Sequence, residues 1–412
     1  MRSLHVWLPS AIALIALTHT CGFADPQAPV TDWAKLVPAD HPRMLLNAET
    51  KARLQRLMAE GAPEAKRFRD MVDSQLKGAN VYAFSATHAA LMYQLTGDRK
   101  YADRAVAMVE DQVTRAEQAM AQGKAPTVAG DSYLDVGGHI GDLARTYDWC
   151  HECLSPEQRQ RWLQYADQAV WNVWHPQQAR WGNTPKPWSG WSVNNPGNNY
   201  HYSFLEATMT LGLASFGEDP KAADWLDLFR NQKIEQSLIP YFTTKLIGGG
   251  SREGTGYGIS HRRLFEIFDV WRSVTGEDLA ARLSHPRDSL FYLIHCTVPT
   301  LDRIAPIGDH ARESTAALFD YHRGYMLQLV SLFKQEPAGE AGQWWLNHCS
   351  VPQMTHGFMF MDDLLYYDRA VKERPLSSLS PVYYAPGVGQ VFMRSGWDTG
   401  ATWAHFMCRS IG

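Results

Sequence analysis

From Asn47 to about Asp363 the chain reads as one amphipathic helix after another, and that succession limits the folds open to it more than any other feature. Apolar residues recur at three- and four-residue spacing, separated by short breaks of Gly, Pro or Asp. Clear stretches are residues 86–95, 101–113, 136–150, 158–173, 203–214, 259–274 and 318–333. A helix with an apolar stripe must bury it, and consecutive helices joined by short loops do so as antiparallel pairs. LTGDRKYADRA at 95–105 and VTGEDLAARL at 274–283 share a signature in which Thr-Gly stops one helix and an acidic residue begins the next. This rhythm predicts a mainly α chain of helical hairpins, closed into a toroid or stacked as a solenoid, with a period too loose for a true repeat.

Two stretches break the pattern. Residues 177–199 are rich in Trp, Pro, Gly and Asn without helical periodicity, and a long irregular stretch inside a compact domain is often functional. After Leu379, Val388 to Arg394 and Thr402 to Arg409 are rich in β-branched and aromatic residues and flank the turn SGWDTG, as the first two strands of a sheet would. Two strands alone leave an exposed edge, so a longer protein is expected to continue past Gly412. The expected organisation is a leader over 1–24, a helical domain over 25–379, and the opening strands of a truncated antiparallel β-domain over 380–412.

The leader is read from Arg2, the apolar run Val6 to Leu17, and the small residues Gly22 and Ala24 before Asp25. No later segment offers roughly 18 uncharged apolar residues in a row, so a secreted or periplasmic protein without a transmembrane segment is expected. Cys21 leaves a lipoprotein as the minor alternative. Removing Arg2 and no acidic residue takes the net charge from −4 to −5. Nucleic acid is therefore not an expected partner, and an anionic polymer would need locally placed positive charge. Fifteen tryptophans can stack on sugar rings, although core packing is the default for most of them. Five cysteines remain after cleavage, and Cys150-His-Glu-Cys153 has no second half-site, so buried thiols or one local disulfide are expected.

Two motifs carry the chemistry. In NNPGNNYHYSFLEA, residues 194–207, Ser203 and Glu206 fit a capping box, which predicts a helix start at Ser203 with Asn198, Asn199 and His201 on the loop before it. Helix-start N–H groups and amide side chains together can hold a carboxylate or oxyanion. The plainer alternative is that the asparagines only make turns and His201 is a satisfied loop histidine. In GGGSREGTGYGISHRR, residues 248–263, glycines surround Arg252, Glu253 and Tyr257 before another helix, without the spacing or the Lys-Ser/Thr ending of a phosphate loop. The glycines are expected to let the backbone approach a ligand while presenting Arg252 and Tyr257. A merely flexible loop is the alternative. His261, four residues after Tyr257, is placed to share its helix face.

Together these stretches resemble the heparinase II/III-like superfamily of polysaccharide lyases, which includes several alginate lyases. HPRMLL at 41–46 resembles its N-terminal opening, YDWCHECLSPEQR at 147–159 its helix-turn-helix, and GGGSREGTGYG its EG-x-x-Y segment. GVGQVFMRSGWDTGATWAHF at 387–406 is similar to the start of its β-sandwich. The resemblance implies an incomplete α/α toroid followed by antiparallel sheets, with sugar bound between them.

It also implies β-elimination on a uronic acid polymer, in which the C5 proton is removed, the C4–O bond breaks and an unsaturated sugar end forms. The carboxylate beside that proton must be neutralised. Asn199 takes this role, with Asn198 as its rival and Arg252 as helper. His201 and Tyr257 are the candidates for base and acid, and tyrosine can serve as both. Glu253, His261 and Trp191 complete the expected substrate contacts, and Arg262 and Arg263 could add positive potential. The family's structural metal uses His and Asp residues of the β-domain. No cofactor is therefore expected in this chain, and a zinc-like divalent ion would belong to the part beyond it. The adjacent Asp309 and His310 do not by themselves make a metal site. Two rivals stand beside the lyase. A toroid glycoside hydrolase would need two opposed carboxylates from Asp135, Asp142, Glu253 and Asp309. A glycan-binding protein would use Trp181, Trp188 and Trp191.

Overall fold

The computed structural model describes residues 26–308 and 316–408, apart from the Tyr257 side chain. The leader, the Asp309-His310 pair and residues 409–412 lie outside the described residues.

The helices are α1 (Ala48–Glu60), α2 (Pro63–Leu76), α3 (Ala86–Thr96), α4 (Arg99–Ala121), α5 (Val136–Trp149), α6 (Pro156–Trp174) and α7 (Asn199–Ser215). They continue as α8 (Ala222–Asp227), α9 (Ile239–Lys245), α10 (His261–Thr275), α11 (His285–Cys296), α12 (Asp320–Phe333), α13 (Pro337–His348) and α14 (Phe360–Tyr366). A π-helical stretch, Leu228–Leu238, joins α8 to α9. The helical periods read from sequence therefore match real helices. At Gly97 and Gly276 the backbone turns left-handed (φ 72° and 75°) and stops α3 and α10. Asp98 then caps α4, as expected. Glu277 starts no helix; it holds Arg230 and the Trp271 indole instead.

α3 packs on α5, α5 on α7, α7 on α10, α10 on α12, α12 on α14, and α14 on α2, which returns to α3. α4, α6 and α13 pack outside this series, on α3, α5 and α12. α7 is buried from His201 to Ser215 on every side, as befits a helix with few charged residues. Its closest partner is α5, where glycine permits the approach. A Cβ on Gly137 would meet the Ser203 carbonyl oxygen at 2.7 Å, and the Gly137 N–H donates to Ser203 Oγ at 2.7 Å.

The starts of α3, α7, α10 and α14 gather at one end of this series, where α2, running the other way, ends. Thr87 N of α3 donates to Asp142 of α5 (2.7 Å), Tyr202 of α7 meets His261 of α10 (2.8 Å), and Arg262 of α10 pairs with Asp362 of α14 (3.0 Å).

Residues 177–199 are irregular, as expected, apart from one helical turn and a two-residue pairing of β1 (Arg180–Trp181) with β2 (Thr184–Pro185). The C-terminal sheet has three antiparallel strands, not two: β3 (Val382–Ala385), β4 (Gln390–Arg394) and β5 (Trp403–Met407), with Tyr383 opposite Phe392 and Phe392 opposite His405. Val388 belongs to the turn between β3 and β4, because Gly389 (φ 64°) reverses the chain there. The sheet lies on α11. Tyr292 donates to Gln390 (2.5 Å), Arg394 donates to the Thr297 carbonyl (2.9 Å), and the Tyr383 ring stacks on His295. All five described cysteines are free thiols, so no disulfide forms between Cys150 and Cys153.

Candidate functional site

The amino end of α7 is the centre of the site that the motifs predict. The helix starts at Asn199 with Asn198 as its cap, four residues earlier than expected, and Ser203 and Glu206 are not its capping box. The reason is tertiary. Ser203 is taken up by Gly137, and Glu206 is held between Arg145 and Arg263, each at 3.0 Å. Asn198 Oδ1 accepts from Tyr200 N (3.2 Å) and from Ser192 Oγ (2.6 Å), so both of its lone pairs are used. Its Nδ2 is thereby turned to Glu253 Oε1 at 2.8 Å, while Glu253 Oε2 accepts the Asn199 N–H at 2.9 Å. A carboxylate from the glycine-rich loop thus occupies the helix-start anion position. Glu253 is a structural partner of Asn198 and Asn199.

Asn199 is half-buried, and its carboxamide makes no hydrogen bond among the described residues. Only its backbone is engaged. Arg252 is exposed on the same loop. The turn Tyr257–Ser260 packs on α7, α10 and α12, which places the Tyr257 backbone beside the helix starts. Trp191 is 56% exposed, whereas Trp181 is buried with its indole on Tyr133 Oη, and Trp188 packs on Phe204. Of these three tryptophans only Trp191 offers a face to a ligand.

The histidines differ from their expected places. His201 is not on a loop. It lies in the first turn of α7, fully buried against Trp174, with Nδ1 on the Ser192 carbonyl (3.1 Å) and Nε2 without a partner among the described residues. Burial pushes it down to about 4, so it is neutral near pH 7. His261 begins α10, whereas Tyr257 belongs to the 3-10 turn that leads into it. His261 is also fully buried, with Nε2 on Tyr202 Oη at 2.8 Å, and burial holds it well below its usual value. Since Tyr202 Oη donates to the Pro196 carbonyl (2.9 Å), His261 donates to Tyr202. His261 therefore supports the 194–198 loop from beneath.

The glycines of the 248–258 loop also do something other than expected. A Cβ on Gly249 would strike Ser289 N at 2.5 Å, one on Gly250 the Tyr292 ring at 2.7 Å, and one on Gly254 (φ 81°) the Ile307 carbonyl oxygen at 2.0 Å. They let the loop lie against α11 and pair with residues 307–308, fixing Glu253 in place. Arg262 is paired with Asp362 and Arg263 with Glu206, so neither is an unpaired positive charge.

One feature of the same neighbourhood was missed in the sequence. Asp131, Ser132 and Tyr133 are all left-handed (φ 42°, 53° and 64°), although none is glycine, and Asp131 accepts from Tyr200 Oη at 3.0 Å. Such strain persists only where surrounding contacts enforce it, and it clusters at functional sites. No composition signal marks it, since DSY is an ordinary loop sequence.

A cavity of about 1090 Å³ lies at the other end of the helices, lined by the cations Arg53, Arg56, Arg272 and Lys334 and by the carboxylates Glu49, Asp269, Asp278, Glu336 and Asp368. Its cations and carboxylates are interleaved, so it offers an anionic polymer no net attraction. Two of the carboxylates open to a hydrolase are already used. Asp142 accepts from Ala86 N and Thr87 N at the start of α3, and Glu253 caps α7. Asp135 is exposed, and Asp309 lies outside the described residues.

No protein-family model matches the sequence, and no curated protein matches it significantly. Among solved structures the chain is similar to the crystal structure of heparinase III, at 15% identity and a TM-score of 0.47. That match covers 78% of this chain and 43% of the other, so the chain spans less than half of that structure's length.

Proposed function

We propose that this protein is an exported polysaccharide lyase that cleaves a uronate polymer by β-elimination, and that its closed series of helices is an α/α toroid with the substrate at the helix starts. The observation that carries the proposal is the Asn199 carboxamide, half-exposed at the amino end of α7 and without a partner among the described residues, while its backbone N–H is tied to Glu253. An amide donor held in this way suits a uronate carboxylate whose charge must be offset as C5 is deprotonated. Arg252 adds a cation from the loop, and Trp191 a face for a sugar ring.

Tyr257 serves as both base and acid. As phenolate it takes the C5 proton, the C–H electron pair forms the C4–C5 double bond, the C4–O bond breaks, and the proton passes to the departing oxygen. His201 is withdrawn from the base role because it is fully enclosed, and it becomes a support for the Ser192 turn that holds Asn198. The capping duties of Asp142 and Glu253 weigh against the hydrolase.

The test is a panel of uronate polysaccharides followed by the ultraviolet absorbance of the conjugated double bond. Absorbance should rise with at least one polymer, and Asn199→Ala and Tyr257→Phe should each abolish it. New reducing ends without that absorbance would overturn elimination in favour of hydrolysis.

A further inference from the structure

We propose that His41, His151 and Glu218 form a divalent-cation site of zinc-like preference at the carboxyl end of α7, opposite Asn199. Their ligand atoms all lie within 4.8 Å of one another. His41 Nε2 is 2.8 Å from Glu218 Oε1, and His151 Nε2 is 2.8 Å from Glu218 Oε2. The three residues come from the loop before α1, the turn after α5 and the turn after α7, so an ion there would tie three segments together.

The hydrogen-bond pattern around His41 motivates the ion. Its Nδ1 is 2.6 Å from Asp148 Oδ1, and that fully buried carboxylate also accepts from Arg43 N and Met44 N at 2.9 Å. Nδ1 therefore carries the proton, and in the neutral ring Nε2 presents a lone pair. That lone pair faces a carboxylate oxygen, so two acceptors meet at hydrogen-bond distance unless a positive charge lies between them. His151 can meet Glu218 as a neutral donor; His41 cannot. A single proton on His41 would remove the conflict, and so would one dication held by Glu218 and both rings, whose centres are 4.0 Å apart; the convergence of two imidazoles and a carboxylate on one point assigns the place to the dication. A carboxylate behind a ligating histidine is the usual outer-shell arrangement of zinc sites, and two imidazoles with one carboxylate leave a fourth position open.

The surroundings permit it. Zinc needs ligand atoms at about 2.0–2.2 Å, so His151 must tilt out of the stack. Its side chain is 20% exposed beside a cavity of about 560 Å³ bounded by Asp40, Gln94 and Glu152. Tyr147 Oη donates to Glu218 Oε2 at 2.7 Å and orients the carboxylate. Arg43 is the nearest cation, 3.9 Å from Glu218, but its Nη1 is bound to the Leu213 and Ala214 carbonyls and its Nη2 to that of Ala39.

The test uses the whole protein, stripped with a chelator, titrated calorimetrically with zinc and spectroscopically with cobalt. One ion per chain should bind, cobalt should show the intense visible bands of a four-coordinate site, and zinc should raise the melting temperature. His151→Gln and Glu218→Gln should each weaken binding by about tenfold or more, while His348→Gln, at an exposed histidine paired with Glu373, should leave it unchanged. Either ligand variant suffices if the other fails to fold. Equal affinity in the wild type and both ligand variants, or no binding by the wild type, would overturn the site. Neither result bears on the lyase, whose residues lie at the other end of α7.

Discussion

Replacing Glu253 by glutamine tests the cap at the start of α7 more sharply than removing the side chain. Asn198 cannot flip its carboxamide, because Oδ1 already accepts from Ser192 Oγ and Tyr200 N. Its Nδ2–H group and the Asn199 N–H both point at residue 253, and the glutamate answers each with one oxygen, at 2.8 and 2.9 Å. Glutamine has one oxygen for these two donors and turns an NH2 group on the other. The substitution removes a charge-assisted hydrogen bond worth about 1.5–3 kcal/mol and a helix-start charge worth about 0.3–1 kcal/mol. The expected loss is about 2–4 kcal/mol. Alanine would admit water to both donors at this half-buried position, so Glu253→Ala should be no more destabilising than Glu253→Gln. Urea unfolding followed by circular dichroism measures both, as a lowered midpoint at unchanged slope. If the protein is the proposed lyase, kcat/KM should fall with Glu253→Gln because Asn199 is no longer aligned. A glutamine variant within about 0.5 kcal/mol of wild type would refute the capping argument.

Gly254→Ala should destabilise by about 2 kcal/mol from left-handed strain alone, and by more because its Cβ would lie 2.0 Å from the Ile307 carbonyl oxygen; a wild-type melting temperature would contradict this. Trp191→Ala should leave stability within about 0.5 kcal/mol of wild type, since the ring is 56% exposed, while polymer binding weakens in affinity electrophoresis; unchanged binding would exclude it from the sugar site. His201 and His285 are pushed down to about 4 by burial, and His295 to about 3 by burial and Arg394. Each takes up a proton on unfolding below the ordinary value of about 6.5, so its stabilisation is whole above that pH and is lost as pH falls toward 4. Asp167 and Asp362, both pushed up to about 6 chiefly by burial, act in the opposite sense between about pH 4 and 6. His285→Gln should therefore flatten the rise of stability with pH by up to about 1.4 kcal/mol per pH unit below pH 6.5. An unchanged slope in urea midpoints would show that His285 is not held neutral.

Much of the helical architecture was legible in the chain itself. The three- and four-residue periods found α3, α5, α6, α10 and α12 to within a few residues, because an amphipathic helix writes its buried face into its sequence. The same rule failed at the start of α7. A helix buried on all sides has no polar face to set its phase, and the Ser203 and Glu206 pattern imitated a cap. The sheet was foreseen, but β3 was not, since Pro381 and Pro386 bracket a strand of four residues.

Of the candidate site, the sequence by itself determined which residue types stand near one another in the chain: the asparagine pair, the glycine-rich loop with Arg252 and Tyr257, and the tryptophans of the irregular stretch before α7. Only the tertiary structure decided what each is available for. Glu253 meets the asparagines from more than fifty positions away and takes the anion place at the helix start. His201 and His261 are sealed inside, and His41 finds Glu218 177 residues along the chain. The physical reason is that burial and long-range hydrogen bonds set the charge state and accessibility of a side chain, and neither is encoded in its neighbours along the chain.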